Sequence, residues 1–310
     1  MRLSVALLLC AAASAQVQVI TCGTGSPLPD AERASSCVAI VAKGELIVID
    51  SGPGSARKLQ AMQLPLANLR GLFITHLHSD HIGDAGELMT QSWIAGRPQP
   101  LALYGPAGIE DVASGLRQMY AADKTFRIAH HGEAQLPEKA WGVTAHPLTP
   151  GSSARALAYQ DEGFKVEAFL VDHAPVAPAL GYRIEVEGRV IVVSGDTAKS
   201  ANLIRYAAGA DLLIHEVTAK DLVQAAVRTL QAMGQQRRAK MFGDVLTYHA
   251  SPIDAAEAAA EAKVGMLVLT HMVPVPNAQN EARFTAGIAE IFKGPVVVAK
   301  DGQRFQLSAN

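Results

Sequence analysis

The sequence predicts an α/β fold. Short apolar runs typical of strands alternate with helical patterns along the whole chain. Several of these runs end at a histidine or an aspartate, as at Thr75-His76, Asp172-His173, Gly195-Asp196, Ile214-His215 and Thr270-His271. Because α/β proteins place their chemistry at one edge of the sheet, we expect these side chains to meet there.

The predicted elements follow one another with short turns. Strands are expected at residues 17–21, 38–42, 46–49, 72–75, 166–171, 182–186, 190–194, 212–215, 267–270 and 296–299. Helices are expected at residues 80–95, 108–122, 203–208, 221–233, 252–262 and 282–292. Ser251 is a suitable N-cap for the helix that follows it. The segment 221–242 is predicted to be a helical insertion that either covers a groove or packs against another subunit.

Composition and charge set limits on function. The chain has 310 residues and a formal net charge of −2, whereas a protein that mainly grips nucleic acid usually carries a basic face. The short basic run of Arg237, Arg238 and Lys240 is interpreted as a solvated helix face. We therefore expect no nucleic-acid partner.

The first fifteen residues are predicted to be a secretory signal peptide. Arg2 precedes an apolar stretch at residues 3–13, and the small residues 13–15 form a cleavage site. Residues 16–310 are then the mature domain, located in the periplasm or secreted, and no further apolar run is long enough to span a membrane. In an oxidising compartment Cys22 and Cys37 could form a disulfide; two buried thiols are the alternative.

A cluster of metal-ligand side chains is the strongest local signal. Three histidines and an aspartate lie within six positions, namely His76, His78, Asp80 and His81. Imidazole and carboxylate together suit zinc, and also iron or manganese. Two metals need about four more contacts, which the ends of later strands could supply through His173, Asp196 and His271.

These seven side chains resemble the ligand set of the metallo-β-lactamase superfamily. The similarity is strongest to its ribonuclease Z and zinc-dependent arylsulfatase-like branch, through Gly-Thr-Gly-Ser-Pro at residues 23–27, Leu-Gly-Tyr-Arg-Ile at 180–184, Ser-Gly-Asp-Thr at 194–197, His-Glu-Val at 215–217 and Tyr-His-Ala-Ser at 248–251. The resemblance implies a four-layer αββα sandwich and two Zn²⁺ ions, with Mn²⁺ or Fe²⁺ as alternatives. One ion would be held by His76, His78, His173 and Asp196, and the other by Asp80, His81, His271 and the shared Asp196.

The resemblance also implies catalytic roles. Two zinc ions would activate water to attack phosphorus, sulfur or a carbonyl carbon, and Asp80 would orient that nucleophile. His249 is the candidate proton donor to the leaving group, and Glu216 is the candidate for holding its imidazole. Asp50 is expected to support the metal ligands, and His215 is expected to be structural.

One departure from ribonuclease Z shapes the expected substrate. Members of that family often carry a Gly-Pro-rich arm for tRNA between the segments that correspond to Ile184 and Ser194, and here little more than a hairpin joins them. We therefore expect an exported binuclear zinc hydrolase that cleaves a small phosphodiester or aryl sulfate ester and whose partner is a small-molecule substrate. The alternatives are a lactonase or β-lactamase, a ribonuclease Z-like enzyme without the arm, and a non-enzymatic metal-binding protein. Because relatives in this branch are often homodimers, a homodimer is also expected.

Overall fold

Two seven-stranded sheets pack face to face in this computed structural model, which describes residues 16–152 and 154–308. The predicted signal peptide at residues 1–15 lies outside the described residues. The strands of each sheet are partly antiparallel and partly parallel, and the parallel parts of both sheets lead to the same edge of the sandwich.

The first sheet has the strand order β14-β1-β2-β3-β4-β5-β6. Its strands are β1 (Gln16–Gly23), β2 (Cys37–Ala42), β3 (Glu45–Ile49), β4 (Leu69–Phe73), β5 (Leu101–Gly105), β6 (Val143–Pro147) and β14 (Gln303–Ser308). The strands from β14 to β3 pair antiparallel, whereas those from β3 to β6 pair parallel. The sequence did not predict β5, β6 or β14.

The second sheet has the strand order β13-β12-β11-β10-β9-β8-β7. Its strands are β7 (Ala156–Gln160), β8 (Phe164–Leu170), β9 (Leu180–Val186), β10 (Arg189–Val193), β11 (Leu212–Thr218), β12 (Met266–Val273) and β13 (Val296–Val298). The two-residue turn Glu187-Gly188 joins β9 to β10, as predicted, so no arm is inserted there.

The described residues contain ten α-helices, some of which cover the outer faces of the two sheets. They are α1 (Ser55–Ala61), α2 (Ser79–Ile82), α3 (Ala85–Ile94), α4 (Ile109–Met119), α5 (Ala121–His131), α6 (Ala201–Tyr206), α7 (Lys220–Ala232), α8 (Gln236–Asp244), α9 (Pro252–Glu261) and α10 (Ile288–Ile291). Short 3-10 helices occupy residues 66–68, 138–140, 245–247 and 281–284. Within residues 16–152 and 154–308, no helix is both long and apolar enough to cross a membrane.

Three apolar cores separate the four layers. Side chains of both sheets, such as Ile47, Phe73 and Tyr182, fill the space between the sheets. A second core lies between the first sheet and α1, α3 and α4, and a third lies between the second sheet and α6, α9 and α10. Strands in the middle of each sheet are therefore buried on both faces, which accounts for their nearly continuous apolar sequences. The predicted α/β class and four-layer αββα sandwich are confirmed.

At three places the helices of the structure differ from those that the sequence predicted. The helix expected at residues 80–95 is divided into α2 and α3 around Gly83, where an added Cβ atom would lie 2.7 Å from the Pro53 ring. The helix expected at residues 282–292 is only a 3-10 turn and the single turn α10. The helix expected at residues 108–122 is divided into α4 and α5, and α5 continues through residues 123–131, where the sequence analysis placed no element.

Two features border the edge at which the parallel strands end. Cys22 and Cys37 form a disulfide between β1 and β2, at the base of the loop of residues 24–36. Helices α7 and α8 form a helical hairpin whose two helices pack mainly against each other. Val223 and Ala239 are its only fully buried residues among those described. The segment is therefore helical as predicted, and that it is an insertion stays a prediction.

Candidate metal centre

The predicted ligands converge at one edge of the sandwich. His76 lies in the loop after β4, and α2 begins at Ser79, so that Asp80 and His81 lie on its first turn. His76, Asp80 and His81 are buried, whereas His78 is exposed at the mouth of the site. One sharp turn from a strand into a helix therefore delivers four ligands to the same place.

Loops of the second sheet supply two more ligands. His173 follows β8, and Asp196 follows β10. Gly195, which precedes Asp196, has a φ of +62°, and a Cβ atom there would lie 2.5 Å from the carbonyl oxygen of Leu180. Only glycine fits this turn without strain, so Gly195 allows the Asp196 carboxylate to face the first sheet.

His271 reaches the site from within a strand, not from a strand end as predicted. The register of β11 and β12 shifts so that Glu216 faces Thr270 and the next pair joins Val217 to Met272. His271 is the extra residue of this bulge, with a φ of +46°. Because a bulge redirects a side chain, it turns His271 into the site.

Asp196 is the centre of the cluster. Its Oδ2 atom lies 3.4 to 3.9 Å from the Nε2 atoms of four histidines, namely His76, His81, His173 and His271. These separations exceed hydrogen-bond lengths but suit atoms that share a bound cation. A carboxylate at this position can bridge two ions through its oxygens.

The ligand atoms divide into two groups around this carboxylate. In one group the ligand atoms of His76, His78 and His173 lie within 4.8 Å of one another, and another joins Asp80, His81 and His271 at the same limit; Asp196 forms a further group with His76 and His81, one residue from each. The grouping agrees with the two sets implied by the sequence resemblance.

Unpaired buried nitrogen atoms show that this cluster suits cations. Nε2 of His81 and Nε2 of His173 are buried and have no hydrogen-bond partner among the described residues. Buried polar atoms normally have partners, because losing water without replacing it is costly. A divalent metal would supply the missing partner, and the imidazole and carboxylate donors fit such an ion.

Electrostatics favours the metal-binding protonation state at two of the ligands, His76 and Asp196. Burial, together with the neighbouring His81, keeps the pKa of His76 far below its ordinary value, so this imidazole is neutral at pH 7. Burial by itself would raise the pKa of Asp196, but His271 and His81 more than offset it, and the pKa lies well below the ordinary value. Neutral imidazole and ionised carboxylate are the forms that bind metal. Burial by itself would lower the pKa of His81 and of His271, but Asp196 more than offsets it and raises both, so a bound metal would displace a proton from each of these two rings.

Residues outside the ligand set fix the orientation of the histidines. Asp50, which has a φ of +57°, accepts hydrogen bonds from the Thr75 backbone N–H at 2.8 Å and from His81 Nδ1 at 2.7 Å. His173 Nδ1 donates to the carbonyl oxygen of Tyr248 at 3.1 Å. Each contact leaves Nε2 of the ring facing the cluster. Asp50 thus has the supporting position that the sequence predicted.

The predicted pair of Glu216 and His249 is also present. His249 Nδ1 lies 2.9 Å from Oε1 of Glu216, and that oxygen also accepts from the backbone N–H groups of Thr197 and Ala250. Burial lowers the pKa of His249, but Glu216 offsets this effect and raises the pKa to about 9. His249 can therefore hold a proton beside the ligands His173 and Asp196.

The remaining histidines lie away from the cluster. His215 is buried in β11 with Nδ1 2.6 Å from the Glu216 carbonyl oxygen, and burial lowers its pKa. His130 and His131 are exposed at the end of α5, and His146 stacks on Tyr104 at a ring distance of 4.7 Å. The structural interpretation of His215 agrees with this position.

A cavity of about 250 Å³ opens onto the cluster, and the sequence did not predict its walls. Asp80, Asp196, His78 and His249 form its floor. The other lining residues come from the loop of residues 24–36, from α8, from the segment that follows α8 and from the end of β12: Ser26, Pro27, Leu28, Met241, Phe242, Val245, Tyr248 and Val273. None of these is a metal-ligand residue type. Ser26, Pro27 and Tyr248 lie in segments that carry the sequence resemblance, whereas the others had no signal beyond their apolar character.

Comparisons with known proteins agree with this geometry. A family profile described as the metallo-beta-lactamase superfamily matches residues 30–271. The protein named ribonuclease Z from Mycobacterium marinum is 33% identical over 296 residues, and the one from Mycolicibacterium paratuberculosis is 36% identical. Each match covers 94% of this chain and 99% of the relative.

Solved structures support the fold. Human tRNase Z, short form, has a TM-score of 0.67 at 24% identity, with 94% of this chain and 99% of that chain covered. The metallo-beta-lactamase fold protein YhfI of Bacillus subtilis has a TM-score of 0.68 at 20% identity, with 94% and 100% covered. The chain therefore belongs to the metallo-beta-lactamase superfamily and is a metal-dependent hydrolase of ester bonds.

Proposed function

We propose that this chain is a two-zinc phosphodiesterase whose substrates are phosphodiesters of ribonucleotides. Relatives named ribonuclease Z match nearly the whole chain, and they favour a phosphodiester over the aryl sulfate that the sequence left equally open. They also speak against the expectation that nucleic acid is no partner. The proposal thus follows the alternative of a ribonuclease Z-like enzyme without the arm.

The observation that carries the proposal is the contact of His249 with Glu216 beside the ligands. Hydrolysis of a ribonucleotide phosphodiester expels an alkoxide, which is a poor leaving group and needs a proton in the transition state. His249 is placed to donate that proton, with Nδ1 held by Glu216 at 2.9 Å. A lactone or β-lactam has a strained ring and needs such help less.

The other residues position the reaction. Two divalent ions, when bound, would supply a nucleophile at neutral pH and offset charge on the ester oxygens. Asp80 accepts from His271 at 3.1 Å and lines the cavity, so it can orient an attacking water. Asp196 holds the two ligand groups together.

We also propose that the protein is exported. The signal-peptide pattern of residues 1–15 supports this, and so does the disulfide between Cys22 and Cys37, a bond that persists in oxidising compartments. The test is mass spectrometry of protein recovered from the periplasm and the medium, which should show an N-terminus at Gln16 and no free thiol at either cysteine. Full-length protein confined to the cytoplasm would contradict export.

The central experiment compares substrates on the zinc-loaded protein. Rates would be measured for a short RNA, bis(p-nitrophenyl) phosphate, an aryl sulfate, a lactone and a β-lactam. We expect turnover of the RNA and of the phosphodiester. Turnover of only the sulfate would indicate an arylsulfatase. Turnover of only the lactone or β-lactam would indicate a hydrolase of carbonyl compounds. A fully metal-loaded protein inactive on all five would favour a non-enzymatic metal-binding role.

A further inference from the structure

We infer that the cavity beside the metal ligands binds one nucleobase, that of the nucleotide attached to the reacting phosphate. The inference rests on the proposed phosphodiesterase function and names the part of the substrate that the protein recognises. It concerns side chains that hold no metal and take no part in proton transfer.

The first argument is the chemistry of the walls. Metal binding needs only the floor of the cavity, whereas the walls are apolar and include two aromatic rings, Phe242 and Tyr248. Met241 on the same wall is 59% exposed. Apolar surface left open beside a catalytic cluster is typical of a ligand site, because a bound apolar group would remove that surface from water.

The second argument is a single unpaired polar atom. Ser26 lines the cavity, is 1% exposed, and its Oγ atom has no hydrogen-bond partner among the described residues. A buried hydroxyl without a partner is unfavourable unless a ligand completes its hydrogen bond. A nucleobase combines flat apolar faces with a hydrogen-bonding edge, whereas a simple phenyl group lacks that edge.

The third argument is size. The cavity of about 250 Å³ is smaller than the roughly 300–1,000 Å³ usual for drug-sized ligands, so it admits one ring system and not a folded nucleic acid. Because no arm is inserted between β9 and β10, the protein lacks that means of holding a long RNA. Stacking of one base on aromatic side chains would give affinity without strong sequence preference.

The test uses three p-nitrophenyl phosphodiesters that share one leaving group. Their second substituent is uridine, phenyl or methyl. We expect kcat/KM of the wild type to be at least about tenfold higher for the uridine ester than for the methyl ester, as stacking of one base predicts. Phe242→Ala should reduce that ratio about tenfold, and Ser26→Ala should lower the rate for the uridine ester more than for the phenyl ester. Met233→Ala, at the exposed tip of the hairpin, is the matched control and should change neither ratio.

A binding measurement separates recognition from catalysis. Calorimetric titration of the wild type with uridine monophosphate should give a dissociation constant that Phe242→Ala raises about tenfold. Equal rates for the uridine and methyl esters would overturn the base site while leaving the phosphodiesterase in place. Preference for the phenyl ester, with no effect of Ser26→Ala, would overturn it in favour of an aryl group. Failure to cleave any of the three esters would overturn the proposed function itself.

Discussion

His81 donates through Nδ1 to the Asp50 carboxylate at 2.7 Å, and its Nε2 atom, which has no hydrogen-bond partner in the part of the chain that the structure describes, lies 3.5 Å from Asp196. Asp50 therefore fixes the tautomer that presents Nε2 to a metal. We expect Asp50→Asn to weaken metal affinity by roughly 10–100-fold, as is usual when such a support is lost. Chelator competition would measure it, with the exposed Asp123→Asn as control. Unchanged affinity would show that packing alone orients the ring.

Asp196→Ala should remove bound metal and activity together. The carboxylate lies between the two ligand groups, so its loss takes a ligand from both. Elemental analysis of the purified variant is expected to show far less than two zinc ions per chain, while circular dichroism shows that the fold is kept. A variant that retains two zinc ions would disprove the bridging position.

His249→Ala should slow substrates according to their leaving groups. We expect a loss of about 10²–10⁴-fold on RNA, whose leaving alkoxide needs a proton, and a much smaller loss on nitrophenyl phosphodiesters. Zinc content should stay at the wild-type value. His146→Ala changes a histidine remote from the cluster and serves as the control. Equal slowing of both substrates would argue against proton donation.

Glu216→Gln tests the positioning of that donor. The rate on RNA should fall with rising pH as His249 loses its proton, and Glu216 is the group that raises this pKa against the effect of burial. Without the carboxylate charge the pKa drops, so the alkaline limb of the kcat profile should move to lower pH. An unchanged profile with lower activity at every pH would point to a merely structural role for Glu216.

Asp254→Ala should reduce stability in a pH-dependent way. Asp254 accepts from the Ser251 N–H at 2.7 Å, and Ser251 Oγ in turn caps the Asp254 N–H, which forms a capping box at the start of α9. We expect the free energy of unfolding to fall by about 1 kcal/mol at pH 7. Urea unfolding of metal-free protein would measure this loss.

The pH dependence follows from the pKa of Asp254. Burial by itself would raise that pKa, but the hydrogen bonds with Ser251 bring it below the ordinary value of 3.8. The stabilisation of the folded state by ionised Asp254 is therefore complete at pH values above the ordinary pKa of the carboxyl group. It is lost as the pH falls through the lower pKa that Asp254 has in the folded protein. The difference between wild type and variant should shrink on acidification, and a constant difference would exclude the ionised cap.

The homodimer implied by the resemblance stays a prediction. Sedimentation velocity of the mature protein would check it, since one chain has a mass of 32.6 kDa with its first fifteen residues included. A measured mass close to that of a single chain would contradict a homodimer.

The metal ligands could be predicted because their residue types are scarce and their spacing is local. Four of them lie within six positions, and the other three adjoin apolar runs that end at the same edge. The bulge at His271 could not be predicted, because it depends on the pairing of β11 with β12.

The cavity walls could not be predicted either. Leu28 and Phe242 are more than two hundred positions apart, and neither carries a signal of its own in the sequence until the fold brings both to the ligands. Most of helix α5 was missed although its sequence is amphipathic, and no residue of this helix is fully buried against the sandwich.

The self-contained packing of α7 against α8 has a consequence for how this protein can diverge. Substitutions at exposed positions usually change the free energy of unfolding by less than about 0.5 kcal/mol, and most of this hairpin is exposed. Yet Met241 and Phe242 on α8 form part of the cavity wall. Evolution can therefore alter which molecules are accepted by changing the hairpin, while the sandwich and its ligands stay under separate constraint.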